Sequence, residues 1–353
     1  MPSRWLGCLL TLATLNACAG CGSSSTAAST GTNDPSREPP ASSGPARYEV
    51  HEWGLVRGML NDRVMLSGPH RAEIAMPLAK PVLYFHREGE GALTIDVGAR
   101  ITHGSMVEHW PLAEVASDGS IAWSGVTIEE GNCAGAHYPS ESEAPCSSIV
   151  APDSCEAAVL ATVETPDGDC VRYRDASYDH LFYRGELAGA PAFPLEITSD
   201  AGRVRVTHRG SEPIVGRLLR VNRTSRQSRL LDPPAPGASA EVGPADGPIA
   251  PAIDALADAL RQAGLTDDEV SAFRRAWDET LFGTEVAAGE APATATPMAG
   301  GLLRASTDEA LLYVLPSAVA DALAPLTFDP PPTAVRRAIV VWIDVAGGAV
   351  ARP

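Results

Sequence analysis

His51-Glu52-Trp53 and Glu108-His109-Trp110 each set an imidazole beside a carboxylate, the side-chain types that ligate metal ions or move protons. His86 supplies a third imidazole from a short apolar run. A site built between strands from His51, His86 and His109, with Glu52 or Glu108, would fill three positions around zinc. The fourth would hold a water, whose pKa the ion lowers to about 7. His51, Glu52, His86 and His109 are therefore the candidate metal ligands. Adjacent residues of a strand point to opposite faces, so His51 and Glu52 cannot grip one ion together while the strand is regular. The helical H-E-x-x-H arrangement is absent.

Tyr183-Arg184 is the candidate binding pair. A guanidinium fork fits a carboxylate or phosphate, and a neighbouring phenol can stack or donate a hydrogen bond. Trp53, Trp110 and Trp123 would add ligand-stacking surface if a shallow sheet face carried them. The competing reading pairs Arg184 with a core carboxylate and treats the histidines as hydrogen-bonded structural residues. Asp179-His180 has the composition of a general-base pair but no nucleophile beside it. No G-x-S-x-G elbow, Walker A loop or dinucleotide fingerprint occurs. The catalytic residues and the cofactor are left unassigned.

These residues need a scaffold, and its texture is β. Arg47 to Gly58 alternates, Pro81 to His86 is a short apolar run, and Leu93, Ile95 and Val97 share one face. Further expected strands are Met106 to Trp110, Ile121 to Ile128, Ala157 to Val163, Val171 to Tyr173, His180 to Arg184, Pro194 to Ile197, Arg203 to His208 and Ile214 to Asn222. A Pro/Ala/Gly connector follows over 231–250. Ile253, Leu256 and Leu260 then mark a helix that Gly264 can end, and Thr266 with Glu269 is a capping box for a second helix with the stripe Val270, Phe273 and Trp277. A small β-α-β piece, with Leu311 to Leu315 and Ala338 to Val345 as strands, closes the chain. The expected fold is mainly β, a sandwich or open barrel of short strands, with a helical hairpin and that β-α-β element, α+β overall. The expected organisation is a β-rich domain over 47–230, with the hairpin and β-α-β of 251–353 packed on it.

Export is written at the N-terminus. Met1 to Arg4 is positive, and Trp5 to Leu15 is an apolar run of about eleven residues, far short of the roughly 20 that span a bilayer. Leu15-Asn16-Ala17-Cys18 resembles a bacterial lipobox, which implies cleavage after residue 17 and a lipid, palmitate included, on Cys18. Cys21 stands in a poorer box and Cys8 lies too early. Residues 18–46 are dominated by Ser, Thr, Gly, Pro and Ala and read as a disordered tether. The chain is expected in the cell envelope, membrane-attached through its lipid and facing an oxidising compartment. Ala19 is compatible with outer-membrane sorting under the enterobacterial rule.

Export makes disulfides the reading for Cys133, Cys146, Cys155 and Cys170, all inside 38 residues (131–170 being a loop-like insert). Three pairings are possible, and the sequential one, Cys133–Cys146 with Cys155–Cys170, is expected. The net charge of −17 repels phosphates and argues against nucleic acid. Charge is uneven: residues 232–329 carry sixteen acidic and four basic side chains, while residues 200–229 carry eight arginines against Asp200 and Glu212. The arginines read as a solvated sheet face, with an anionic lipid or polysaccharide patch as the alternative.

HEWG (His51 to Gly54), KPVLYFH (Lys80 to His86), MVEHWP (Met106 to Pro111), LFYRG (Leu181 to Gly185) and LLYVLP (Leu311 to Pro316) together resemble an uncharacterised bacterial group, common in myxobacteria and planctomycetes, with an N-terminal HEWG strand. The matches run through most of residues 48–345. The chain departs from the group at Leu55, where threonine is usual, in the cysteine-rich insert, and at Thr284 to Gly300. The resemblance supports the extent of the folded part and carries no catalytic residue across. The resulting expectation is an envelope lipoprotein whose body binds a glycan, peptide or protein, or serves structurally; the alternative is a metal-dependent or carboxylate-based hydrolase.

Overall fold

Period-two alternation becomes strand where one face is covered, and continuous apolar runs become strands covered on both faces. The computed structural model describes residues 47–58, 75–140, 142–148, 155, 157–188, 192–200, 203–283 and 308–345. The signal, Cys18, Cys21, the tether and Thr284 to Gly300 lie outside the described residues. Nine strands form the main sheet. Their order is β15 (Gly247–Pro248), β13 (Gln227–Leu231), β12 (Val215–Asn222), β16 (Glu309–Val314), β18 (Ala334–Asp344), β1 (Arg47–Gly58), β2 (Ala75–Glu88), β9 (Leu181–Ala188) and β4 (Gly104–Trp110). A second sheet runs β17 (Leu326–Asp329), β3 (Leu93–Ala99), β6 (Ile121–Glu129), β7 (Cys170–Tyr173) and β8 (Ala176–Tyr178), with β5 (Glu114–Val115) on β6. A third holds β10 (Leu195–Asp200), β11 (Arg203–His208) and β14 (Ser239–Val242). The protein is mainly β with three α-helices among the described residues, as the sequence pattern implies.

Strands from the two ends of the described chain meet at the centre. β1 and β18 pair in parallel, with Glu52 opposite Arg337 and Trp53 opposite Ala338. Both are buried along most of their length. The C-terminal β-α-β element thus supplies central strands of the same sheet, with β16 and β18 standing between β12 and β1. The connector 231–250 carries β14 and β15, which lie in two different sheets.

Helix α1 (Ala250–Gln262) and helix α2 (Asp267–Phe282) form the expected hairpin. Gly264 turns between them at φ +102°, and a Cβ there would meet the Arg336 side chain at 2.8 Å, so glycine suits both the turn and the close approach. Thr266 and Glu269 complete the capping box. Phe273 sets its ring edge on Trp53, 5.5 Å between centroids, so α2 covers the sheet face to which Trp53 points. Arg337, on the other face, reaches Asp321 of helix α3 (Ser317–Leu323) at 2.8 Å. The hairpin and α3 therefore cover opposite faces of the main sheet.

Two expectations are corrected. Ala157–Val163 is a 3-10 helix and not a strand. Its buried Leu160 and Val163 are three residues apart, which puts them on one side of a three-residue turn. The disulfides are Cys133–Cys170 and Cys146–Cys155, nested and not sequential. Strand pairing decides this: Cys170 opens β7 opposite Glu129 of β6, its amide donates to the Gly131 carbonyl at 2.8 Å, and Cys133 follows two residues later. Cys146 and Cys155 are then left to close a short loop.

Candidate functional site

β1 and β2 run antiparallel with Glu49 opposite His86 and His51 opposite Tyr84. His51 and His86 are therefore diagonal neighbours on one face, the face that α2 covers. Their rings lie 4.2 Å apart. Between them comes Glu269, the third residue of α2, 218 positions from His51 in the chain. Its Oε1 lies 2.8 Å from His86 Nε2, and its Oε2 lies 2.9 Å from His51 Nδ1. Thr266 N–H donates to Oε2 at 2.8 Å, so one carboxylate caps the helix and bridges two imidazoles. Glu269 is fully buried and His51 nearly so, while the His86 side chain keeps 21% of its surface in solvent.

The electrostatics follow from that arrangement. Burial opposes charge on Glu269, but the bonds from His51 and His86 outweigh it and hold the carboxyl down at about 2. Burial likewise pushes His86 toward neutrality, yet its bond to the Glu269 carboxylate wins and raises its pKa. The raised His86 pKa and the depressed Glu269 pKa both favour the charged pair over the neutral one. Among the described residues His51, His86 and Glu269 form one of two groups spaced to share a metal ion, with ligand atoms within 4.8 Å of one another. The other group is Glu108, Cys146 and Cys155, whose two sulfurs are joined as a disulfide and offer no thiolate.

The four expected ligands thus divide. His51 and His86 converge; Glu52 and His109 do not. Glu52 points to the opposite face, as alternation requires, where it accepts from Tyr183 Oη at 2.5 Å and pairs with Arg337. His109 sits on β4, three strands from β1 in the sheet. Its Nδ1 accepts from the Ala113 amide at 3.0 Å, its ring edge meets Trp123, and burial lowers its pKa. The missed ligand is Glu269. Its place in the capping box was legible, but nothing local linked it to strands some two hundred residues away.

The expected binding pair is internal. Arg184 lies directly across from Glu108 in the β4–β9 register, with Nε 3.0 Å from Oε2 and both side chains buried. Tyr183 is committed to Glu52. Trp53 and Trp123 are fully buried and Trp110 is 7% exposed, so none offers an open stacking face. His180 is buried with no hydrogen-bond partner on either ring nitrogen, and burial drives its pKa down to about 3. An imidazole so reluctant to take a proton is a poor base, and Asp179 instead accepts from Tyr138.

Five of the eight arginines of residues 200–229 are ion-paired. Arg205 pairs with Glu241, Arg209 with Glu196, Arg217 with Asp232, Arg220 with Glu309 and Arg229 with Asp246. Four of those five carboxylates come from the acidic stretch 232–329. Folding brings the two charge blocks together, as the reading of the arginines as a solvated, paired sheet face implies. No protein-family model matches the chain, and no curated protein matches it.

Proposed function

We propose that this chain is a lipid-anchored protein of the cell envelope whose body is a non-catalytic binding or structural module of the HEWG-type group. The observation that carries the proposal is the sequence Leu15-Asn16-Ala17-Cys18 at the end of an apolar run too short to span a bilayer. Two disulfides within the insert support an oxidising destination. No helix among the described residues is long and apolar enough to cross a membrane. Several acyl chains on one cysteine give stable anchoring, at about 0.8 kcal/mol per buried methylene, and Ala19 fits outer-membrane sorting.

The non-catalytic reading of the body rests on how its reactive side chains are occupied. Glu52, Glu108, Tyr183 and Arg184 satisfy one another or Arg337 inside the core. The partner is the membrane, with a glycan, peptide or protein as the ligand class and nucleic acid disfavoured by charge. Feeding cells a labelled palmitate tests the anchor. Label should enter the wild type and the Cys21→Ala chain and disappear in Cys18→Ala; an unlabelled wild type refutes the proposal. One observation favours the second reading, a metal-dependent hydrolase: two of its expected ligands meet a buried carboxylate. That reading requires hydrolysis of a chromogenic ester or phosphate that chelators abolish and His86→Ala lacks.

A further inference from the structure

His51, His86 and Glu269 are positioned by three unrelated pieces of backbone, which makes their meeting informative. β1 and β2 fix the two imidazoles by strand register, and the first turn of α2 fixes the carboxylate. Glu269 Oε2 is retained by the Thr266 amide, which leaves Oε1 between the rings, 3.1 Å from His51 Nδ1 and 2.8 Å from His86 Nε2. Glu49 Oε2 stands 3.6 Å from the other nitrogen of His51. A carboxylate on the far side of a ligating imidazole, and a hydrogen bond on the spare oxygen of a ligating carboxylate, are the outer contacts that orient metal ligands.

We propose that His51 Nδ1, His86 Nε2 and Glu269 Oε1 form a binding site for one divalent transition-metal ion of the zinc class, clamping the β1–β2 pair to α2. Zinc holds nitrogen and oxygen at about 2.0 to 2.2 Å, so tetrahedral neighbours stand roughly 3.3 Å apart. The observed spacings of 2.8 and 3.1 Å are those of hydrogen bonds. Entry of the ion asks the imidazoles to withdraw from Oε1 by a few tenths of an ångström, and the two ring nitrogens, which lie within 4.8 Å of one another, to take up the same tetrahedral spacing. Two imidazoles and one carboxylate select zinc, cobalt or nickel over magnesium or calcium, which prefer all-oxygen shells. The fourth position opens at the His86 edge, the side of the trio that reaches solvent, and suits a water. Metal and proton compete for the imidazoles, so binding releases protons. The site is independent of where the chain is anchored, and its test leaves the palmitate test untouched.

The full chain, purified in detergent and stripped with a chelator, is titrated with zinc(II) and, separately, cobalt(II). One equivalent of zinc should bind per chain and raise the melting temperature, and cobalt should give the intense visible bands of a tetrahedral site. His86→Ala should weaken zinc binding at least about tenfold and remove the bands. His86→Glu, whose carboxylate can reach as far as Nε2, restores a ligand and should regain much of the affinity, while His109→Ala should bind as the wild type does. A stripped wild type that takes up no stoichiometric zinc overturns the proposal. So does zinc binding that His86→Ala leaves unchanged, which would place the ion elsewhere.

Discussion

Glu269→Gln removes the charge at the centre of the His51–Glu269–His86 cluster while keeping its shape. Glutamine has the same length and a planar head, and its oxygen can still accept from the Thr266 amide, so the capping box survives. What disappears is the anion to which His86 owes its raised pKa. The Glu269 carboxyl is displaced from an ordinary 4.5 to about 2, which at roughly 1.4 kcal/mol per tenfold is about 3 kcal/mol of preference for the charged form. The side chain is fully buried, so solvent screening removes little of it. Linkage gives the pattern with pH. A depressed carboxyl contributes stability above its unfolded pKa of 4.5 and loses it as pH falls toward 2. A raised histidine contributes below its unfolded pKa of 6.5 and loses that as pH rises through its higher folded value. The stability gap between wild type and Glu269→Gln is therefore widest between about pH 5 and about pH 6.5 and narrows on both sides. Urea unfolding of both chains, chelator present, from about pH 3 to about pH 9 measures it. A gap that stays constant across that range, or that never reaches about 1 kcal/mol, refutes the ion-pair reasoning.

Arg337→Met strands the buried Glu52 carboxylate and should cost about 3 to 5 kcal/mol, while the double change with Glu52→Gln should recover most of it, as read in a double-mutant cycle. For His180, folded pKa about 3 against an unfolded 6.5 means that protonation is linked to unfolding, so stability falls as pH drops below 6.5. At about pH 5 that penalty is about 2 kcal/mol, and His180→Phe should reduce the fall in stability between about pH 6.5 and about pH 5 by that amount. Non-reducing peptide mapping should return the nested disulfides. In the chain-entropy model, opening the loop of 37 residues' separation costs about 4 kcal/mol. Opening the loop of nine costs about 3 kcal/mol in the same model, so Cys133→Ser/Cys170→Ser should be the less stable double variant.

Local pattern carried much of this structure. The alternation of Leu93, Ile95 and Val97 became β3, and the Thr266–Glu269 box became the start of α2, because both depend on neighbours a few residues away. Ala157 to Val163 misled because a short apolar run suits a strand or a tight helix equally, and packing of Leu160 and Val163 decided it. The disulfides misled because strand pairing, and not loop length, brought Cys133 to Cys170. The tryptophans at 53, 110 and 123 read as surface or core with equal ease, and the covering by α2 and the second sheet was invisible in sequence. The candidate site was half legible. Two imidazoles on adjacent strands were readable as ligands, and opposite-face geometry excluded Glu52 as a partner of His51. The carboxylate that joins them arrives from a helix 218 positions from His51 in the chain, a long-range docking that no local pattern encodes.

The proposed lipid on Cys18 is read directly by the mass of the mature N-terminal peptide from membranes of the native host. The expected peptide begins at Cys18 and carries the added mass of a diacylglyceryl group, with or without a further acyl chain. A mature chain that begins elsewhere, or a Cys18 thiol that alkylates freely, would contradict it.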